Sequence, residues 1–363
     1  MKAAGLDVRQ DEAGNLIGRL PGANPHLPAV VTGSHIDTVR EGGRFDGALG
    51  VLAGIEVLRT IREQGFTHTR PLEVICFTDE EGVRFGTGYL GSRAMAGLWN
   101  DEWLSLADID GITLQQAMSE AGITPAHASA ARRKHGDVHA YVELHIEQGR
   151  VLEHHELEVG IVTSIYGHRW LKITMYGQAD HGGTTPMGLR RDAMVAASEA
   201  ILGIEQTAID YGGVATVGTL QVKPGSINVI PGEVIFTVDV RHGDGEGLDQ
   251  LASAIEEAVR QCAIQRDVAV NITMTDSDEP VQASEQVTRA IQRACEGAGY
   301  SPFMMNGGAG HDAVAMHALT DIGLILIRSK DGISHHPAEW SSPEDCVAGA
   351  NILLGTLLLL ANN

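Results

Sequence analysis

Four stretches of the chain carry residue types that hold metal ions and move protons. Residues 32–50 read TGSHIDTVREGGRFDGALG and supply His35, Asp37 and Asp46. FTDEEG supplies Glu80 and Glu81, YVELHIEQ supplies His145, and GISHHPAE supplies His335. Imidazoles and carboxylates together form the mixed nitrogen and oxygen set that suits zinc, manganese or cobalt. Taken singly, each residue fits a capped loop or a solvated carboxylate. Their shared place gives them weight, because each follows a strand-like run and function in open α/β sheets gathers at the carboxyl ends of strands. Glu80 and Glu81 cannot share one role, since adjacent residues leaving a strand point in different directions. One binds and the other works on water; sequence physics leaves open which.

The elements that must position these residues can be read from periodicity. Residues 29–32 and 72–78 have the short apolar runs of buried strands, and 48–62 repeats apolar residues at helical spacing, so the Asp46 loop runs into a helix. The β-loop-α-β order implies an α/β unit, a central sheet with helices on its faces. Met1 to Arg9 suggests a last helical turn closed by Gly5 and then an edge strand. Weak helices are expected at 90–98 and 114–121, followed by a loop to Lys134. Residues 141–148 alternate, with Val142, Leu144 and Ile146 on one face and Tyr141, Glu143, His145 and Glu147 on an unusually polar other face. From residue 169 the pattern becomes β-α-β-β-α-β, a ferredoxin-like α+β arrangement inserted between about residues 166 and 280. The expected discontinuous domain is therefore 1–165 with 281–363. Its last part holds a helix at 284–298, a glycine-rich turn at 307–310, a strand at 322–327 and a final helix at 343–360. In the inserted part, strand 233–241 places Arg241 on the face opposite Val234, Phe236, Val238 and Val240, where it could grip a carboxylate through a bidentate pair.

Composition narrows the function classes. With 26 basic and 47 acidic residues the formal charge is −21, so the summed field repels polyphosphate and anionic lipid; neither nucleic acid nor membrane is an expected partner. A length of 363 residues suggests two domains, and 43% hydrophobic residues describe a folded chain. Cys76, Cys262, Cys295 and Cys346 form no CxxC pair, which fits a reducing compartment. No signal-peptide pattern opens the chain, and the apolar run near residues 352–361 is expected to be too short for a bilayer; a cytoplasmic location is expected.

The strings GSHIDT, GGRFDGALG, FTDEEGVRF, ELHIEQG, ADHGGTTPMG, SINVIPG, GAGHDA and GISHHPAE together resemble the di-metal aminoacylase and carboxypeptidase superfamily. Within it they resemble the branch of N-carbamoyl-L-amino-acid hydrolases, allantoate amidohydrolases and β-ureidopropionase-type enzymes. The resemblance implies a zinc-exopeptidase-like catalytic domain with a central mixed sheet, plus an inserted domain that dimerises and acts as a lid. It implies two divalent ions, zinc, manganese or cobalt, bridged by Asp46, with His35 and His145 completing the first and Glu81 and His335 the second. Glu80 would be the general base, and Asp37 would accept the second ring N–H of His35 and fix its tautomer. Asn228, Arg241 and Gly310 would line the substrate pocket, with Arg169 at the hinge. His181 would reach the active site of the other subunit of a homodimer and polarise the scissile carbonyl. The implied reaction splits the C–N bond of a linear ureido (N-carbamoyl) group beside a carboxylate and releases ammonia. A rival within the superfamily is an aminoacylase or dipeptidase, against which ELHIEQG and GISHHPAE argue. A rival from another class is a metal-free scaffold, against which the retention of every ligand and of Glu80 argues. Two departures stand out: His336 occupies a position where the branch usually has Asn, and relatives carry further residues before the place of Met1, so the ends or the stability of this chain could be compromised.

Overall fold

The computed structural model describes residues 1–363. Two compact units divide the chain: Met1–Thr163 with Ala283–Asn363, and Ser164–Gln282, so the inserted unit extends two residues beyond the expected limits at each end.

The first unit runs β1 (Asp7–Gln10), β2 (Leu16–Leu20), β3 (Ala29–His35), α1 (Ala48–Gln64), β4 (Leu72–Phe77), α2 (Leu90–Ala96), α3 (Leu114–Glu120), β5 (Val138–Ile146), α4 (Val151–His154) and β6 (Val159–Ile165), whose last two residues fall in the inserted unit. The inserted unit follows with β7 (Gly167–Tyr176), α5 (Ala193–Tyr211), β8 (Val214–Lys223), β9 (Glu233–His242), α6 (Gly245–Gln265), β10 (Ala269–Asp278) and β11 (Val281–Gln282). The first unit then resumes with α7 (Glu285–Ala298), β12 (Met304–Gly307), α8 (Asp312–Met316), β13 (Ile322–Ile327) and α9 (Pro343–Ala361).

Its sheet has the order β1-β2-β4-β3-β5-β13-β6, with β12 beside β6. The central four strands, β4, β3, β5 and β13, are mutually parallel. Apolar runs such as LEVICF and IGLILI, buried at every position, are what parallel strands covered on both faces require. Parallel pairing sends all four carboxyl ends to one edge of the sheet. That edge is where His35, the Glu80–Glu81 loop, His145 and the His335 loop emerge. The core joins Val30, Val74, Val142, Leu144 and Ile325 to Val57, Leu58 and Ile61 of α1, Ile291 of α7 and Leu353 and Leu357 of α9. Gly5 closes a single 3-10 turn in the left-handed conformation, and β1 lies at the sheet edge, as the opening residues suggest.

In the inserted unit the sheet order is β10-β7-β9-β8, antiparallel throughout. Leu171, Ile173, Phe236 and Val238 pack against Ala196, Ala200 and Ile204 of α5 and Leu251 and Ile255 of α6, a second core of its own. β9 alternates between buried and half-buried residues, placing Arg241 with Asp239 on the outer face.

Several expectations need correction. Residues 125–131 form a 3-10 helix where a loop is expected; Ala128 sits in a satellite core with Phe85, Leu90, Leu114 and Met118. β6, β12 and α8 were not legible, the last two because four or five residues are too few to show a period. By length and composition α9 could cross a membrane, against the expectation of too short a run, but Ile352, Leu353, Leu357 and Leu360 are packed into the core.

Candidate metal centre

Each strand end delivers its side chain for a local reason. His35 is the last residue of β3, and its Nδ1 lies 2.9 Å from the main-chain oxygen of Asp37. A carbonyl only accepts, so Nδ1 carries the proton and Nε2 presents its lone pair. His145 repeats the device: Nδ1 lies 2.9 Å from the carbonyl of Ile146, and Nε2 accepts from the Gly47 N–H at 3.1 Å. Gly47 has φ 63°, and a side chain there would overlap the His35 ring, so this turn requires glycine.

Both Nε2 atoms face Asp46 Oδ1, at 3.7 Å from His35 and 3.2 Å from His145. On the other side, Asp46 Oδ2 lies 3.2 Å from His335 Nε2, which is 3.9 Å from Glu81 Oε1. The two oxygens of one carboxylate thus face two separate donor sets, His35 with His145 and Glu81 with His335. Ligands about 2.1 Å from a tetrahedral ion stand about 3.4 Å apart, the range these donors occupy. Lone pairs opposed to carboxylates need a cation between them, and Glu81 Oε1 and Asp37 Oδ1 are buried without a hydrogen-bond partner. The residues therefore fit two divalent cations.

The electrostatics say the same thing in terms of protons. Burial opposes ionisation of Asp46, but its bonds to His145 and His335 outweigh that and hold it well below the usual carboxylate range. Burial favours neutral His145, yet Asp46 and Glu143 overcome it and raise its affinity for a proton, the charge that stands in for a cation. Burial, then the charge of Asp46, pushes Glu81 up to about 7, with His335 opposing. Glu80 is 7% exposed, and burial followed by Asp312, Glu81 and Glu143 raises it well above its ordinary value. Its Oε2 lies 3.7 Å from His35 Nε2.

Asp37 does not hold His35 in the manner expected. Its carboxylate stands 3.7 Å from Nδ1, its main-chain oxygen makes the bond, and Oδ2 accepts from the Glu81 N–H at 3.1 Å. Asp37 therefore braces the Glu81 loop as well as the His35 turn. His336 Nδ1 accepts from the Ala338 N–H at 3.1 Å, closing the turn after His335 as an Asn side chain can.

Sequence reasoning assigned no role to several buried groups. Glu143 is fully buried and accepts from Ser34 Oγ at 2.7 Å, the Tyr141 hydroxyl at 3.0 Å and the Ala313 N–H at 3.0 Å. Ser92 donates to buried Asp312 at 2.5 Å, and the His311 ring meets His145 edge to face at 4.4 Å. Asn15 takes the Thr78 N–H at 3.0 Å and donates to the Gly91 carbonyl at 3.0 Å, bracing both ends of the loop that holds Glu80. The polar face of β5 and the motif GAGHDA were the available signals for the first three; Asn15 had none.

Of the remaining candidates, Gly310 lies in the first unit, where a side chain would collide with the Tyr89 hydroxyl. The others belong to the inserted unit. His181 is exposed; its Nδ1 accepts from the N–H groups of Gly183 at 3.0 Å and Thr184 at 3.2 Å, which leaves the proton on Nε2. The carbonyl of Asn228 accepts from the Gly182 N–H at 2.8 Å, so these two motifs meet. Arg241 is held by Asp239, its Nε at 3.0 Å and its terminal nitrogen at 2.9 Å. Arg169 is 6% exposed and grips Asp249 at 2.9 Å, Glu279 at 2.5 Å and the carbonyls of His168 and Asp278, ties within the inserted unit.

Comparison with known proteins places this geometry. The profile of peptidase family M20/M25/M40 matches residues 31–359. An N-carbamoyl-L-amino acid amidohydrolase of Geobacillus stearothermophilus is 51% identical over 362 residues, covering 99% of this chain and 88% of that protein. Allantoate amidohydrolase of Escherichia coli is 36% identical, with the same coverage. Among solved structures, an amidase of the hydantoinase/carbamoylase family from Burkholderia multivorans superposes with TM-score 0.94 at 38% identity, covering all of this chain and 88% of that one.

Proposed function

The chain belongs to peptidase family M20/M25/M40, and from that premise we propose that it is a metal-dependent amidohydrolase of linear ureido carboxylates, with N-carbamoyl-L-amino acids as the preferred class. It is a hydrolase acting on C–N bonds. The observation that carries the finer reading is Asp46, whose two oxygens address two donor sets beside a carboxylate, Glu80, that the two sets leave over. Two divalent ions held by His35, Asp46 and His145 and by Asp46, Glu81 and His335 would supply Lewis acidity to the substrate carbonyl and to the attacking water.

The chain's own residues supply the rest. Glu80, with its proton affinity raised by burial and neighbouring carboxylates, takes the proton of the attacking water and hands it to the leaving nitrogen. Asp37 keeps both the His35 turn and the Glu81 loop in place. The His181 Nε2–H is the donor for the developing oxyanion, delivered from a second copy of the chain in a homodimer. Arg241 recognises the substrate carboxylate, which competes with Asp239 for the guanidinium edge. Asn228 adds polar contacts near His181, and Gly310 keeps the space before Tyr89 open. Four free cysteines suit the reducing cytoplasm.

The decisive experiment strips the protein with a chelator, restores manganese, zinc or cobalt, and measures bound metal and ammonia release. N-carbamoyl-L-amino acids, N-carbamoyl-β-alanine and allantoate are offered in parallel. Two ions per chain and ammonia from the first class are expected. No bound ion and no ammonia with any metal would overturn the reading.

A further inference from the structure

Glu339 closes the motif GISHHPAE and takes no part in the chemistry above. It is 1% exposed. Its Oε1 accepts from the N–H of Phe45 at 2.8 Å and of Asp46 at 3.1 Å, and its Oε2 accepts from the Ser334 hydroxyl at 2.8 Å. Ser334, directly before His335, also accepts from Gln148 Nε2 at 3.0 Å, and that amide reaches Asp46 Oδ2 at 3.1 Å. Gly43 leaves the space, since a side chain there would overlap the Glu339 carboxylate.

The two halves of the centre are supported differently. His35 and His145 lie within strands whose ladders fix them. His335 lies on a loop, with half its side chain exposed and its backbone at φ 54°, a conformation that costs about 1–3 kcal/mol unless its surroundings enforce it. A buried carboxylate that ties the Asp46 backbone to the residue before His335 is such an enforcement. We propose that Glu339 is the positioning residue for the loop-borne half of the centre, setting Asp46 Oδ2 and His335 at the spacing that holds the second divalent ion. The inference rests on the two-metal reading. It concerns one half of the site because Glu339 braces Asp46 and the His335 loop and makes no hydrogen bond to His35 or His145.

The test titrates manganese or zinc into chelator-stripped protein by calorimetry, with circular dichroism and melting of the metal-free form as controls. Wild type should bind two ions. Glu339→Ala should keep one ion at wild-type affinity and bind the other about 10–100-fold more weakly. In Glu339→Gln, the amide oxygen can still accept both N–H groups and the amide nitrogen can donate to Ser334, so most of the affinity should return. Ser334→Ala cuts the Glu339 strut to the His335 loop together with the Gln148 bond to it, leaves the Glu339 bonds to the Phe45 and Asp46 N–H groups, and should weaken the same ion several-fold; it decides the matter if Glu339→Ala does not fold. Unchanged affinity for both ions in Ser334→Ala, or equal weakening of both, overturns the proposal while leaving the two-metal reading intact. A wild type that binds no divalent ion overturns both.

Discussion

In the first unit, His35 and His145 are almost wholly buried, and each turns its Nδ1 to a main-chain oxygen and its Nε2 to Asp46. In the inserted unit, His181 and Asn228 are exposed, and Arg241 is held by Asp239 on its own strand. The contrast is between donors that already converge on one carboxylate and polar groups that are exposed or held within their own unit. His35 and His145 sit at strand ends, and Asp46, Glu81 and His335 on the loops that leave the same edge of the sheet. The groups proposed for substrate recognition lie on loops and an outer sheet face.

The largest effect should come from the buried side. Glu80→Gln should bind metal and substrate as wild type does while kcat falls about 10²–10⁴-fold. Nearly full activity in this variant would remove Glu80 as the base and leave the first unit as a binding site only. On the exposed side, His181→Ala should lower kcat about 10²–10³-fold. Mixing subunits sharpens this: a random mixture of Glu80→Gln and His181→Ala chains should regain about a quarter of wild-type activity, since half the dimers are hybrids with one complete site. No recovery on mixing would place the work of His181 within its own chain.

A smaller effect separates structural charge from catalytic charge. Glu73 on β4 is buried between Arg133 at 2.6 Å and Arg19 at 2.5 Å; burial opposes its ionisation, but the two guanidinium groups outweigh that and lower its pKa. A lowered folded pKa adds stability above the ordinary value of 4.5, and that stability is lost as the pH falls through the folded value. Glu73→Gln should therefore cost about 1.5–3 kcal/mol in urea unfolding at neutral pH. The gap to wild type should close in acid, and a gap independent of pH would assign the loss to packing.

Much of this was legible because strand ends and loops are local. The runs before His35, Glu80 and His145 could be read one at a time, and helical spacing placed α1, α5, α6 and α9. The polar face of β5 and the motif GAGHDA hinted at Glu143 and Asp312 without showing their roles, and Asn15 carried no signal. Each has a partner between 63 and 220 residues away, such as Asn15 to Thr78 or Ser92 to Asp312. The hold of Asp249 and Glu279 on Arg169 was likewise out of reach, because those partners lie 80 and 110 residues away.

What the amino-acid order determined by itself was which residues can ligate, which lie at strand ends, and that an α+β unit interrupts an α/β one. Those follow from residue chemistry and from periods of two and 3.6 residues, which need no distant partner. Only the tertiary structure decided that four parallel strands bring those ends to one edge, and that Asp46 turns one oxygen to each donor set. It also decided that the Asp37 backbone, not its carboxylate, orients His35. The physical reason is that hydrogen-bond and coordination geometry depends on distances between segments far apart in the chain, and those distances exist only once the sheet has assembled.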